Sequence, residues 1–209
     1  MKKIDLKVLV ITCIVCLLPI ILGLVFYNEL PEQVAIHFDV NNNPDNYFPK
    51  ILFIFAIPVF MSVIQAVCCI MNDLQDKNPE ANKKATSVFK WIIPIITIVL
   101  YIVTLMYALG NTIDIRKAVM IILGILFIVT GNYVPKTVGD MHIHFPKFKI
   151  NDPKLEIEMK KWTGYLLIIN GMFCIISILF EPLVSVAFVV LFILEAIVLS
   201  VYTWLKSKK

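Results

Sequence analysis

Glu195 stands inside an uninterrupted apolar run, Phe192-Ile193-Leu194-Glu195-Ala196. A carboxylate in hydrocarbon costs at least about 2.5–3.5 kcal/mol on insertion scales, so it must face protein and either hold its proton or find a donor. Two chemistries fit: a proton-linked or peptide-contacting site, and a hydrogen-bonded side chain that fixes helix order. Thr130, Asn132, Thr163, Asn170 and Ser177 are the polar residues of neighbouring apolar runs that can meet it. A second group, Glu32, His37, Asp39 and Asp45, places one imidazole and three carboxylates in a short polar segment. Hydrolytic zinc needs two or three histidines and an open position, so a lone His37 reads as a structural or recognition residue. Asp140-x-His142-x-His144 offers three ligands at a chelating spacing but no fourth; its alternative is a polar face against lipid headgroups. Cys13-x-x-Cys16 copies a redox or zinc spacing, yet all five cysteines fall in apolar runs and read as small apolar fillers. Neither Gly-x-Ser-x-Gly, nor a phosphate-binding glycine loop, nor His-Glu-x-x-His occurs. The expectation is a non-enzyme with no cofactor and no bound metal.

The elements that must position these groups follow from composition. The 209 residues are 59% hydrophobic and 16% charged, with a mean hydropathy of +0.86, well beyond what one soluble core can absorb. The apolar residues arrive in six blocks, Val8–Asn28, Ile51–Met71, Trp91–Leu109, Ala118–Val134, Trp162–Phe180 and Leu183–Leu205. Each is close to the roughly 20 helical residues that cross about 30 Å of hydrocarbon. The fold class is therefore all-α: one integral membrane domain over residues 1–209, a polytopic bundle of six transmembrane helices. Sixteen of the nineteen basic residues fall in the termini, in 72–90 and in 135–161, against Lys50, Arg116 and Lys117 on the other side. The positive-inside bias then makes both termini cytoplasmic. Those basic residues meet anionic lipid, and nucleic acid is excluded as a partner. The first block is too long for a signal peptide's apolar core and ends in bulky residues, so it reads as a permanent anchor.

The outer loop, residues 29–50, carries four acids against Lys50. Val34, Ile36 and Phe38 alternate with Ala35, His37 and Asp39, the pattern of a short extended segment with one apolar face. His37 and Asp39 would share its other face. Asn41–Asn46 is dense in turn formers, with Pro44-Asp45 closing a turn that brings Asp45 near Lys50. The cytoplasmic loop, residues 135–161, lies along the bilayer surface, and Leu155–Lys161 begins the next helix. Pro19, Pro58 and Pro94 lie inside spans and predict kinks.

Two stretches together resemble a known family. Leu30-Pro31-Glu32-Gln33-Val34 running to His37-Phe38, then Asn43-Pro44-Asp45 and Pro49-Lys50, resembles the amino-terminal domain of unknown function of bacterial SdpI-like membrane proteins. Gly131-Asn132-Tyr133-Val134-Pro135-Lys136 is similar to the Gly-Asn-x-x-Pro-Lys signature of the same proteins. The chain departs from the pattern at Asn42, where the family has glycine, and over Thr137–Ile150. The resemblance implies a plasma-membrane immunity or signalling protein that protects a bacterium against a membrane-active antimicrobial peptide toxin. It also implies a cytoplasmic autorepressor as a further partner. Carried over by position, the family's motif falls on Pro31, His37, Pro44, Asp45 and Lys50 in the outer loop and on Asn132, Pro135 and Lys136 at the cytoplasmic end; with the loop carboxylates Glu32 and Asp39, the first group makes the expected peptide-binding set. Asn132 and Asn170 join Glu195 as the structural or proton-linked intramembrane set. A small-solute or ion-coupled transporter is the alternative, resting on Glu195 and the kinked spans.

The charge split makes a direct prediction. Asn42→Cys should react with a membrane-impermeant maleimide in intact cells, whereas Lys154→Cys should react only after permeabilisation. Equal labelling would remove the six-span arrangement.

Overall fold

The computed structural model describes residues 4–75, 79–137, 150 and 152–208. Helix α1 (Leu6–Leu17) leads into α2 (Pro19–Val25), then come strands β1 (Gln33–Phe38) and β2 (Pro44–Pro49), and helices α3 (Lys50–Gln75), α4 (Pro79–Ala108) and α5 (Ile115–Tyr133). One 3-10 turn, Val134–Lys136, follows, and α6 (Pro153–Ser177) and α7 (Pro182–Ser207) complete the order. Among the described residues five helical segments are long and apolar enough to cross a membrane: Leu6–Val25, Lys50–Leu74, Ala81–Ala108, Ile115–Lys136 and Pro182–Ser207. The chain is a multi-pass membrane protein. The block 162–180 is helical as far as Ser177, but its helix also carries Lys154, Glu156, Glu158, Lys160 and Lys161, and it is not among the five.

Helix starts follow local chemistry. Asp5 caps α1 by accepting from Val8 N (3.1 Å), and Asp152 caps α6 by accepting from Lys154 N (2.9 Å) with Pro153 in the first turn. The chain forms two compact units, Met1–Gln75 with Thr86–Val119 and Asp76–Ala85 with Met120–Lys209.

In the first unit the prolines decide the helix geometry. Pro19 ends α1, and the Val15 carbonyl that has lost its amide partner accepts from Leu18 N (3.3 Å) instead. Pro94 deprives the Lys90 carbonyl in the same way. Here the replacement comes from another helix: Gln65 of α3 donates Nε2 to Lys90 O at 2.8 Å and to Cys69 Sγ at 3.0 Å. Lys90 itself turns its ammonium to Asp73, both side chains being almost wholly buried (5% and 11% exposed), and Asp73 Oδ2 accepts from Asp5 N. One polar thread therefore ties the start of α1, the end of α3 and the turn of α4 before Pro94. Thr12 and Thr97 return their hydroxyls to carbonyls one turn back, Val8 O and Ile93 O, as expected of threonine inside a span. The end of the unit that carries β1 and β2 is apolar: Leu30, Val34, Phe53, Ile54, Tyr101 and Leu105 form its core, with Phe53 and Tyr101 stacked at 4.5 Å. Gly23 lets α2 approach the Tyr101 hydroxyl and Ile54 where any side chain would collide.

In the second unit α5 and α6 meet through four glycines. A Cβ on Gly124 would lie 2.7 Å from Gly171 O, and one on Gly131 would lie 2.7 Å from Gly164 O; the reverse contacts are equally short. The pairs 124/131 and 164/171 are both seven residues apart, so they recur on one helix face every two turns. Helices α6 and α7 are joined by a short turn and pack through Ser177 and Ser185 (3.0 Å) and the stacked Phe173 and Phe188 rings (5.0 Å).

The carbonyl freed by Pro94 yields a cycle that can be measured. Gln65→Leu strands the Lys90 carbonyl and should cost about 1–3 kcal/mol, lowering the melting temperature in detergent. Pro94→Ala restores the amide, so Gln65→Leu should cost clearly less in that background. Equal losses in both backgrounds would show that Gln65 does not serve the carbonyl.

Candidate functional site

Residues 33–49 fold as an antiparallel hairpin, with Gln33 opposite Pro49, Val34 opposite Phe48 and Ala35 opposite Tyr47. Irregularities beyond Ala35 put His37 opposite Asn46 and Phe38 opposite Pro44. This corrects the expected turn: it occupies 39–43, and Pro44-Asp45-Asn46 belongs to β2. Pro44 is tolerated because a strand's first residue need not donate to the ladder. The hairpin is anchored at its root. Leu30 and Val34 are buried in the helix-end core, Ile36 packs on it, and Phe38 meets Tyr107 edge to face at 4.7 Å.

The charged residues pair differently from the sequence expectation. Asp45 does not reach Lys50; its Oδ1 meets His37 Nδ1 at 2.5 Å, a cross-strand contact made by the shifted register. Lys50, first residue of α3, pairs with Glu32 at 2.8 Å and lies over the Tyr27 ring at 4.5 Å. The side chains of Glu32, His37 and Asp45 remain 85%, 67% and 48% exposed, so each pair is worth only about 0–1 kcal/mol. Pro31 is exposed between Leu30 and β1.

Asp39 does not share a functional face with His37. It turns back on its own loop, accepting from Asn43 N (2.8 Å), Asn43 Nδ2 (3.1 Å) and Asn41 N (2.9 Å). The Asn43 bonds, backbone first, hold its carboxyl below the usual range. Asn42, the position where the resembled family has glycine, has φ +67°, a left-handed conformation that asparagine tolerates better than most residues. Its side chain also does what glycine cannot. Oδ1 accepts from Ile115 N at 2.8 Å, capping α5, and Nδ2 donates to Ile113 O at 3.3 Å.

Between α6 and α7, Asn170 is the partner of Glu195, donating Nδ2 to its Oε2 at 2.7 Å and to Leu166 O at 3.0 Å. Asn132 is not part of this set. It is exposed, accepts from Lys136 Nζ at 3.0 Å and belongs to the helix exit. That exit is packed on α6: Gly164 lies so close to Pro135 that a Cβ would come within 2.5 Å of its ring, and Lys160 Nζ reaches Thr137 O at 3.2 Å. Among the described residues no group of three His, Cys, Asp or Glu side chains is placed to hold a metal. Asp140, His142 and His144 lie outside the described residues.

Sequence reasoning missed Asn42, Gln65 and the glycine pairs. Their signals were present: a turn asparagine at a glycine position, an amide in an apolar run, and glycines seven residues apart.

Residues 14–62, under half of the chain, match the family described as a domain of unknown function (DUF1648). The matched stretch takes in the last part of α1, α2, the hairpin and the first half of α3. No curated protein and no solved structure matches the chain.

Because the Asp39 carboxyl is held below its ordinary value, its contribution is complete above 3.8 and disappears as pH falls through the depressed value. The backbone amides of Asn41 and Asn43 should be protected from hydrogen exchange at pH 6, after correction for intrinsic rates, and lose protection on acidification below 3.8. Asp39→Ala should abolish that protection at every pH.

Proposed function

We propose that this chain is a non-enzymatic immunity protein or receptor of a bacterial plasma membrane, protecting the cell against a membrane-active antimicrobial peptide. It crosses the bilayer six times, the apolar half of α6 supplying the sixth span, and keeps both termini in the cytoplasm. The observation that carries the reading is the outer hairpin: it lies within the DUF1648 match and presents Glu32, His37 and Asp45 exposed on a core-anchored cap. Its loop has a net charge of −3, and the field of such a patch favours a cationic, amphipathic peptide and raises its encounter rate. Pro31, Glu32, His37, Pro44, Asp45 and Lys50 form the contact surface, while Asp39 sets the shape of the turn. The resemblance to SdpI-like proteins supports the same assignment and adds a cytoplasmic autorepressor. The face for it is the helix exit with Asn132, Pro135 and Lys136.

The test is survival of an expressing strain under a panel of cationic amphipathic peptides. His37→Ala and Asp45→Ala should insert at normal levels yet bind less peptide and protect less. Peptide recovered from protected cells should be intact. Protection that merely tracks protein abundance would make the hairpin a structural cap, and cleaved peptide would make the protein an enzyme.

A further inference from the structure

We infer that Asp45 and Tyr47 form a binding site for an arginine side chain. The inference rests on the peptide-binding reading and names the residue that the hairpin selects in its peptide. The site follows from how β1 alternates. Val34 and Ile36 pack in the helix-end core and Phe38 meets Tyr107, so Ala35 and His37 lie on the face turned away from it. Tyr47 stands directly opposite Ala35 and shares that face. Asp45 joins it through its contact with His37. Pairing of His37 with Asn46 and of Phe38 with Pro44 leaves Asp45 as an extra residue on β2, and a bulge of this kind re-aims a side chain. Asn46 then fixes the backbone between the two groups, its Oδ1 accepting from Tyr47 N at 2.8 Å.

The same hairpin shows at its root what such a pair of groups does. There Glu32 and the Tyr27 ring together hold the ammonium of Lys50, at 2.8 Å from the carboxylate and 4.5 Å from the ring centroid. Asp45 and Tyr47 repeat that set, a carboxylate beside a phenol, and among the described residues no lysine or arginine of the chain occupies it. His37 takes one acceptor position on Asp45 Oδ1, and a carboxylate has about four. The Tyr47 ring is 47% exposed, and of the hairpin's large apolar side chains only Val40, on the turn, is as open. A cation from outside therefore meets a free carboxylate edge and a free ring, on a loop whose net charge of −3 attracts it. At an exposed site the guanidinium has the advantage over an ammonium. It is planar and weakly hydrated, so it can bond the carboxylate through its edge while its face lies on the ring. Lysine serves at the root because the chain itself delivers Lys50 to a largely buried place.

The experiment uses the full chain in phosphatidylcholine nanodiscs, with protein-free nanodiscs as the lipid background. The probes are a short labelled amphipathic peptide of leucine and arginine and its counterpart with every arginine replaced by lysine, equal in length, charge and apolar pattern. The wild-type chain should bind the arginine peptide roughly two- to fivefold more tightly. Tyr47→Phe should keep that ratio, because its ring still stacks, whereas Tyr47→Leu should bring the two peptides to equal affinity. Asp45→Asn should weaken both peptides and level them as well. Melting temperatures should stay near native, since both side chains lie off the core. Should Tyr47→Leu fail to fold, Asp45→Asn decides, and an arginine preference that survives in it overturns the site. A ratio unchanged in Tyr47→Leu would make Tyr47 a membrane-interface anchor and overturn the site too. Equal binding of the two peptides by the wild-type chain would overturn the arginine site and leave the immunity reading standing. Binding of neither peptide above the lipid background would remove both.

Discussion

A backbone carbonyl in hydrocarbon has no water to turn to, so every bond that a proline removes from a spanning helix must be replaced by protein. The first unit is organised around that requirement. Pro94 frees the Lys90 carbonyl, Gln65 crosses from α3 to satisfy it, and the Lys90 side chain reaches Asp73 nearby. Gln65 cannot reverse its amide, because only the nitrogen can donate to a carbonyl. Its own Oε1 is left buried and unpartnered. The Pro94 break in the hydrogen-bond ladder of α4 is therefore filled by a directional bond, which ties α3 and α4 together at that height.

The second unit meets the membrane problem by other means. Lipid tails are as apolar as leucine, so helices there gain little from burying apolar faces and depend on close approach. The glycine pairs 124/171 and 131/164 bring backbone against backbone. The same closeness seats Pro135 on Gly164 at the helix exit and lets Lys160 reach Thr137 O. The Gly-Asn-x-x-Pro-Lys stretch is thus a packing device before it is anything else: its glycine admits α6, its proline covers Gly164, and its asparagine and lysine bond each other at the surface.

Outside the spans the balance reverses. Water screens the hairpin's ion pairs, which contribute little, and the apolar root at Leu30 and Val34 carries the stability. That division matters for recognition. Groups that the fold does not rely on can exchange partners with a ligand at small cost, and Glu32, His37 and Asp45 are such groups. Asn42 is the exception within the loop, since its side chain caps α5 and couples the turn to the next helix.

The membrane class, five of the apolar helices, the turn-rich acidic loop and the isolation of Glu195 were determined by the sequence alone, because hydrocarbon length and desolvation act on composition and need no neighbours. The pairing of Glu195 with Asn170 was one of several options legible there. Tertiary structure decided among partners. His37 took Asp45 because irregular pairing after Ala35 reset the register, and a shift of one residue reverses which side chains face each other, while Lys50 took Glu32 where the regular end of the hairpin meets α3. Asn132 went to the helix exit and not to Glu195, since its helix face turned it to the surface. Gln65 found Lys90 O only because two helices came into contact that bring residues twenty-five apart in sequence together. Burial cost is set by residue type, which is why it can be read from a string; hydrogen-bond partners are set by register and rotation, which exist only once the helices are packed.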